Sequence, residues 1–293
     1  MFTTAQRENI IRRLLAGVAG FSLLFLFLIV LFLVMEGVPF FGEHPFWRFL
    51  TGREWYPAET PAEFEIFPMI VASIAVTIVA SLMAVPLGLM TAVYLTEIAP
   101  FYVRRILKPL IELLAAFPSV VIGFVGMVVV APFLQRLFDL DTGLNLFSAS
   151  LMLALMSVPT ICSVAEDALF SVPNSLREAS LALGATRWET VRHVTVPAAF
   201  SGLATAVMLG MSRSIGETMV VLMVAGGAGI LPESLFSPVR PLTATIAAEI
   251  AEAPFRGEHY RALFCIALVL FLFTLAFNYT AHHFAQKRKE VLS

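Results

Sequence analysis

Long apolar runs separated by short polar interruptions set the pattern of this chain. Residues 14–35 are almost unbroken Leu, Phe, Val and Ile, and comparable runs cover 68–94, 109–134, 149–169, 198–224 and 260–284. A helix needs roughly 20 residues to cross the hydrocarbon core of a bilayer. The pattern therefore predicts an all-α, polytopic membrane protein with six transmembrane helices. The first run closes on Met35-Glu36-Gly37-Val38-Pro39, with no small-residue cleavage site, so it reads as a retained anchor. In the second run Ser73, Thr77 and Ser81 recur at i, i+4 and i+8, a polar stripe that either packs against another helix or lines a path, and Pro86 predicts a kink. The third run is interrupted at Pro118. This divides the chain into 1–67, an N-terminal transmembrane helix with the loop after it, 68–284, five further helices, and 285–293, a basic tail.

One polar stretch stands apart, the twenty residues 178–197, EASLALGATRWETVRHVTVP, lodged between the fourth and fifth runs. Ser175 precedes Glu178 by three residues and Thr186 precedes Glu189 by three, so two capping boxes predict two short helices, the second starting at Arg187 and running until Pro197. Gly184 falls where a left-handed residue would end the first helix. On that helix Leu176, Ala179, Ser180 and Leu183 share one face, a narrow stripe of small and apolar groups that calls for a partner.

Composition sharpens the class. The chain is 59% hydrophobic and 14% charged, with a mean hydropathy of +0.87, too apolar for a soluble globule of this size. A net charge of −2 offers no case for nucleic-acid binding. Lys and Arg carry their information by location. Twelve lie in the N-terminus, the 104–108 turn, the 175–197 loop and the C-terminus, against six in the opposite loops. The positive-inside rule places both termini and the 175–197 loop in the cytoplasm, as an even number of spans requires. Cys162 and Cys265 fall inside apolar runs and read as small buried hydrophobes. The three lysines, Lys108, Lys287 and Lys289, have no P-loop context, so no ATP site, catalytic set, metal site or cofactor is expected.

The fifth run carries the charged residues Arg213 and Glu217 inside an apolar helix, flanked by Ser212, Ser214 and Thr218. A charge at membrane depth costs about 2.5–3.5 kcal/mol on insertion scales, so such residues face a partner or a wet cavity. Two readings stay open. The residues form a self-neutralising i, i+4 pair that only orients the helix, or the guanidinium handles a translocated anion such as phosphate.

The polar stretch resembles the EAA loop of ABC importer permeases, the helix-turn-helix that docks on the ATPase. The matching positions are Glu178, Ala179, Ser180, Gly184, Val194, Val196 and Pro197, with Ser for the second Ala of the motif and Val for its Ile and Leu. A second set narrows the resemblance. It comprises the Arg-Ser-Ile-Gly-Glu-Thr-Met run from Arg213 to Met219, the Phe117-Pro118-Ser119-Val120-Val121 run, Glu166-Asp167-Ala168-Leu169, Glu36-Gly37 and Phe49-Leu50-Thr51-Gly52-Arg53-Glu54-Trp55. Together these look like the PstC-type permease of the bacterial phosphate-specific ABC importer. That resemblance implies a cytoplasmic coupling hairpin, a PstA-type second permease, a PstB-type ATPase dimer, a periplasmic phosphate-binding protein and a place in the inner membrane. It also implies ATP hydrolysis on a separate subunit, with phosphate crossing near Arg213 and Glu217. An ABC permease for sulfate or molybdate is the alternative within this class, and a secondary anion transporter the alternative outside it.

Overall fold

The computed structural model describes the backbone of residues 4–291 and the side chains of residues 11–280. Arg7, the tail 285–293 with Lys287, Arg288 and Lys289, and His282 and His283 lie outside the described side chains.

The chain is helical almost throughout. α1 (Thr4–Gly37) runs without interruption until Gly37-Val38-Pro39, where Pro39 opens a 3-10 turn, Val38–Gly42. A short helix α2 (Phe46–Thr51) and a two-residue hairpin, β1 (Trp55–Tyr56) with β2 (Glu63–Phe64), come next, paired Trp55 to Phe64 and Tyr56 to Glu63. α3 (Phe67–Val93) accommodates Pro86 and widens into a π turn, Tyr94–Ile98. Then come α4 (Phe101–Ala116), α5 (Ser119–Val125), the π turn Gly126–Val130 and α6 (Ala131–Phe138). α7 (Leu146–Phe170) is started by Asn145, whose Oδ1 accepts the Ser148 N–H at 2.9 Å. The polar stretch forms α8 (Asn174–Ala182), α9 (Arg187–Thr190), a π turn and α10 (Val196–Ala198). Beyond it lie α11 (Phe200–Ile215), α12 (Met219–Val224), α13 (Leu242–Glu249) and α14 (Glu258–Val291).

Five helical stretches among the described residues are long and apolar enough to cross a membrane: Ile11–Gly42, Phe67–Ile98, Ser119–Phe138, Leu146–Phe170 and Glu258–Thr280. A sixth crossing comes from α11 together with the helical path Arg187–Ala198 that leads into it, bent by 71° at Ala199. The count of six matches the apolar pattern; two boundaries do not. The third crossing does not begin at Pro109. Phe117 is extended (φ −63, ψ 133) ahead of Pro118, because a residue before proline is pushed out of the α region, and this cuts α4 off as a separate helix. The fifth run is not one helix to Val224 either, for it breaks between Ile215 and Met219.

α7 is the most buried span, with α3 and α11 packed against it, while α1 packs on α14. Gly88 of α3 and Gly210 of α11 both lie against Ile161, one from each side, and a Cβ on Gly210 would overlap that side chain. Gly202 presses on Ala168 in the same way. Small residues let helix backbones approach closely in a bilayer, where dispersion rather than water exclusion drives association. The Ser73, Thr77 and Ser81 stripe faces this interior. Thr77 and Ser81 are buried, and Ser73 accepts the Leu242 N–H at 2.9 Å at the start of α13. Packing, rather than lining a path, is its use.

At one end of the bundle the loops form a small folded cap. Phe40, Phe49, Trp55, Phe64 and Ile66 pack with Leu242, Leu263 and Ile266. Glu249 accepts from Trp55 Nε1 at 3.0 Å, pairs with His259 at 2.8 Å and binds Arg240, so three separate segments meet on one carboxylate. The residues of the polar stretch sit at the other end.

Candidate functional site

The polar stretch folds as a hairpin of two short helices. Gly184 takes φ +87, the Ala185 N–H reaches Ser180 O at 3.2 Å and the Gly184 N–H reaches Leu181 O at 3.0 Å, the bond pair that closes a helix through a left-handed residue. Thr186 then starts α9. Its Oγ1 accepts the Glu189 N–H at 3.3 Å, while its own N–H donates to Glu189 Oε2 at 2.7 Å, a complete capping box. The expected box at Ser175 is absent. Extended Pro173 (φ −58, ψ 136) admits the helix directly at Asn174, leaving Ser175 inside the first turn. Nor does Pro197 end the second helix; it lies inside α10, and the direction changes two residues later at Ala199.

The hydroxyls of Ser180 and Thr190 meet at 3.0 Å and pin the two arms together. The rest of the first arm is uncovered. No side chain of α8 is buried, Glu178, Ala179, Gly184 and Pro197 are exposed, and Leu183 is 90% and Trp188 59% exposed. An exposed apolar group of this size on a polar hairpin marks an interaction surface.

Two carboxylates tie helix ends together beside the hairpin, and one of them reaches it. Glu166, 3% exposed near the end of α7, takes Arg104 at 2.8 Å and Lys108 at 3.2 Å from α4, and Arg104 also lies over the Phe170 ring at 4.4 Å. Glu97, in the π turn after α3, takes Arg177 of α8 at 2.8 Å. These pairings were not legible in the sequence. The partners are 58 to 80 residues apart, and no local spacing links them.

Arg213 and Glu217 occupy the break in the fifth run. Arg213 lies in the last turn of α11 and Glu217 in the non-helical link before α12, so the geometry for an i, i+4 pair is lost. Glu217 faces the start of α12 instead, where its Oε1 accepts the Val220 N–H at 3.5 Å, and its carbonyl accepts the Thr243 hydroxyl at 2.9 Å. Arg213 is exposed and, among the described residues, has no hydrogen bond or ion pair. It stands on one strip of α11 with Thr205 and Leu209, which are also exposed. The neighbouring hydroxyls serve other contacts: Ser214 bonds Ser157 at 2.8 Å inside the bundle, and Ser212 bonds Asn278. The self-neutralising pair is therefore not formed, and among the described residues none of the guanidinium's five donors has a partner. Among the described residues no group of three potential metal ligands occurs.

Comparison with known proteins places the chain. The family model described as the binding-protein-dependent transport system inner membrane component matches residues 84–290. The "Probable ABC transporter permease protein YqgH" of Bacillus subtilis is 41% identical over 264 residues, 89% of this chain and 85% of the relative. "Phosphate transport system permease protein PstC" of Pasteurella multocida is 35% identical over 295 residues, 93% of this chain and 91% of the relative, and the protein of the same name from Mesorhizobium japonicum is 36% identical over 246 residues, 77% and 74%. Among solved structures, a bacterial alginate ABC transporter chain superposes with a TM-score of 0.68 at 15% identity, covering 96% of this chain and 95% of its own. An inward-facing methionine ABC transporter chain gives 0.60 at 21%, covering 74% and 92%. At those identities the structures speak for the fold alone. The six-span fold and the family match over most of the chain agree: this is a multi-pass membrane protein, a transport subunit rather than an enzyme, and it belongs to the inner membrane component family of binding-protein-dependent transport systems.

Proposed function

We propose that the chain is a permease subunit of an ATP-driven importer that carries inorganic phosphate across the cytoplasmic membrane. Glu178, Ala179, Ser180, Gly184 and Pro197, with the exposed Leu183 and Trp188 beside them, form the coupling surface for the ATPase dimer, a PstB-type subunit. The open strip of α11 that carries Arg213 faces a second, PstA-type permease, and the anion passes between the two. A periplasmic phosphate-binding protein delivers it from the side of the folded cap, and both termini and the hairpin lie in the cytoplasm.

The observation that carries this reading is the unpartnered Arg213 at the helix break. A charge at membrane depth without a counterion is costly unless it faces a wet path whose anion comes and goes. The relatives named as phosphate permeases supply the anion. Uptake of labelled phosphate by the complete complex in proteoliposomes tests it. Arg213→Gln should abolish uptake while the complex still assembles, and Arg213→Gln with Glu217→Gln should stay inactive. Recovery of uptake in the double variant would show the guanidinium to be dispensable and overturn the reading. Preferential uptake of sulfate or molybdate would replace phosphate as the cargo.

A further inference from the structure

The guanidinium of Arg177 is the polar tie between the first arm of the hairpin and the bundle. Its Nη2 donates to Glu97 Oε1 at 2.8 Å and to the Leu169 carbonyl at 2.8 Å, and its Nη1 donates to Asn174 Oδ1 at 2.9 Å. One side chain thus grips the π turn at the end of α3, the last turn of α7 and the first turn of α8. α8 has no buried side chain of its own, and its other cross-link, Ser180 to Thr190, leads only to the second arm. The second arm is seated differently, with Thr190, Val191 and Thr195 buried.

Two features separate this contact from ordinary anchoring. It is built at a cost, since Arg177 Nε is buried without a partner and both charges are largely out of water, Arg177 at 21% and Glu97 at 11% exposure. An apolar contact would hold the arm as firmly, but it would slide; a guanidinium bonded at once to a carboxylate, a carbonyl and an amide oxygen on three elements resists shear in a set direction. Further, Glu97 is presented by the π turn Tyr94–Ile98, a widened turn of the kind that recurs at functional sites.

We propose that the Arg177–Glu97 pair is the joint that passes displacement of the hairpin into α3 and α7, so that Arg177 is a positioning residue for transport and not part of the docking surface. The proposal rests on the hairpin being the ATPase-docking element. A push on α8 then reaches α3 and α7 directly through the Ser171–Pro173 link and this joint, and reaches α11 indirectly through the Ser180–Thr190 contact and the second arm. With the joint cut, the partner still docks and still hydrolyses ATP, but less of its motion reaches α3 and α7.

The test measures phosphate transported per ATP hydrolysed in proteoliposomes holding the complete complex, together with recovery of the ATPase subunit on purification. Arg177→Gln, and separately Glu97→Gln, which leaves the hairpin sequence untouched, should each retain the ATPase subunit and ATP hydrolysis while transport per ATP falls about tenfold, the size of an ordinary coupling free energy. The exchange Glu97→Arg with Arg177→Glu should restore most of the ratio. An unchanged ratio in both single variants overturns the proposal, as does loss of the ATPase subunit from either, or an exchange that leaves the ratio low. If the wild-type complex itself shows no ATP-dependent uptake, the functional assignment fails, whatever the variants do.

Discussion

Gly184 shows how much a single backbone position carries. Its φ of +87 is needed to turn the chain between the two arms, yet a Cβ built there meets nothing within 4 Å. The penalty for a side chain is therefore purely conformational, about 1 kcal/mol or more for a branched residue and less for Asn, which tolerates the left-handed region. Gly184→Val should weaken recovery of the ATPase subunit and lower uptake, Gly184→Asn should keep both near normal, and co-purification with uptake measurement checks the pair. If Gly184→Val changed neither, the hairpin would not be the docking element. Glu65 carries a different load in the folded cap. Burial pushes its carboxyl up, but the Glu54 N–H, the Arg48 side chain and the Arg53 N–H outweigh it and bring the carboxyl below its ordinary 4.5. A group whose folded value is depressed contributes stability that is present above the unfolded value and lost as pH falls through the folded one. Glu65→Gln should accordingly lower the melting temperature of the purified protein at neutral pH, with the gap to wild type closing as pH falls below 4.5. A gap independent of pH would mean that the hydrogen bonds, and not the charge, hold the cap.

At the scale of elements, the close approach of α3 and α11 to Ile161 makes a sharp contrast between glycines. Gly210→Val would overfill the contact, a loss of about 1–3 kcal/mol by analogy with overpacked cores, and Ile161→Ala in the same chain should return part of it. Gly216 lies in the helix break with only Ser212 O near a built Cβ, at 3.9 Å, so Gly216→Ala should leave the melting temperature unchanged. Thermal unfolding in detergent reads all three. Legibility tracked the range of the interaction. Gly184 and the Thr186–Glu189 box were visible in the sequence because their partners lie within three or four residues, and the six crossings were visible because hydropathy is a local property. The break at Gly216 was hidden, since Gly-Glu-Thr inside an apolar run carries no proline to announce it. α4 was hidden because Pro109 and Pro118 suggested a start and an interruption of one span, whereas Pro109 sits within α4 and only Pro118 stands at a true break. Glu97, Glu166 and Arg177 could not be assigned from sequence at all, because what defines them is which helix end lies beside which.

Across the whole molecule, the two ends differ in how many basic residues the sequence gives them, and this bears on orientation. At the cap end Arg48 is matched to Glu63 and Glu65, Arg240 to Glu249 and Arg256 to Glu36. At the hairpin end Arg104 and Lys108 share Glu166 and Arg177 takes Glu97, so the two ends pair their basic residues alike, with Arg53, Arg136 and Arg261 at the cap and Arg105, Arg187 and Arg192 at the hairpin left without a carboxylate among the described residues. The positive-inside rule counts Lys and Arg rather than net charge, and by that count the hairpin end is richer, twelve to six in the full sequence. That count is the argument for a cytoplasmic hairpin, and labelling tests it. Impermeant thiol reagents on intact cells decide the matter with little background, because both native cysteines, Cys162 and Cys265, are buried. Single cysteines placed at Gly42, Asp141 and Ser234, all exposed at the cap end, should react from outside. Those at Gln6, Thr186 and Gln286 should react only after the membrane is opened. Labelling at Thr186 from outside would invert the molecule and carry the hairpin away from any cytoplasmic ATPase, and the coupling surface, the Arg177 joint and the direction of transport would fall together.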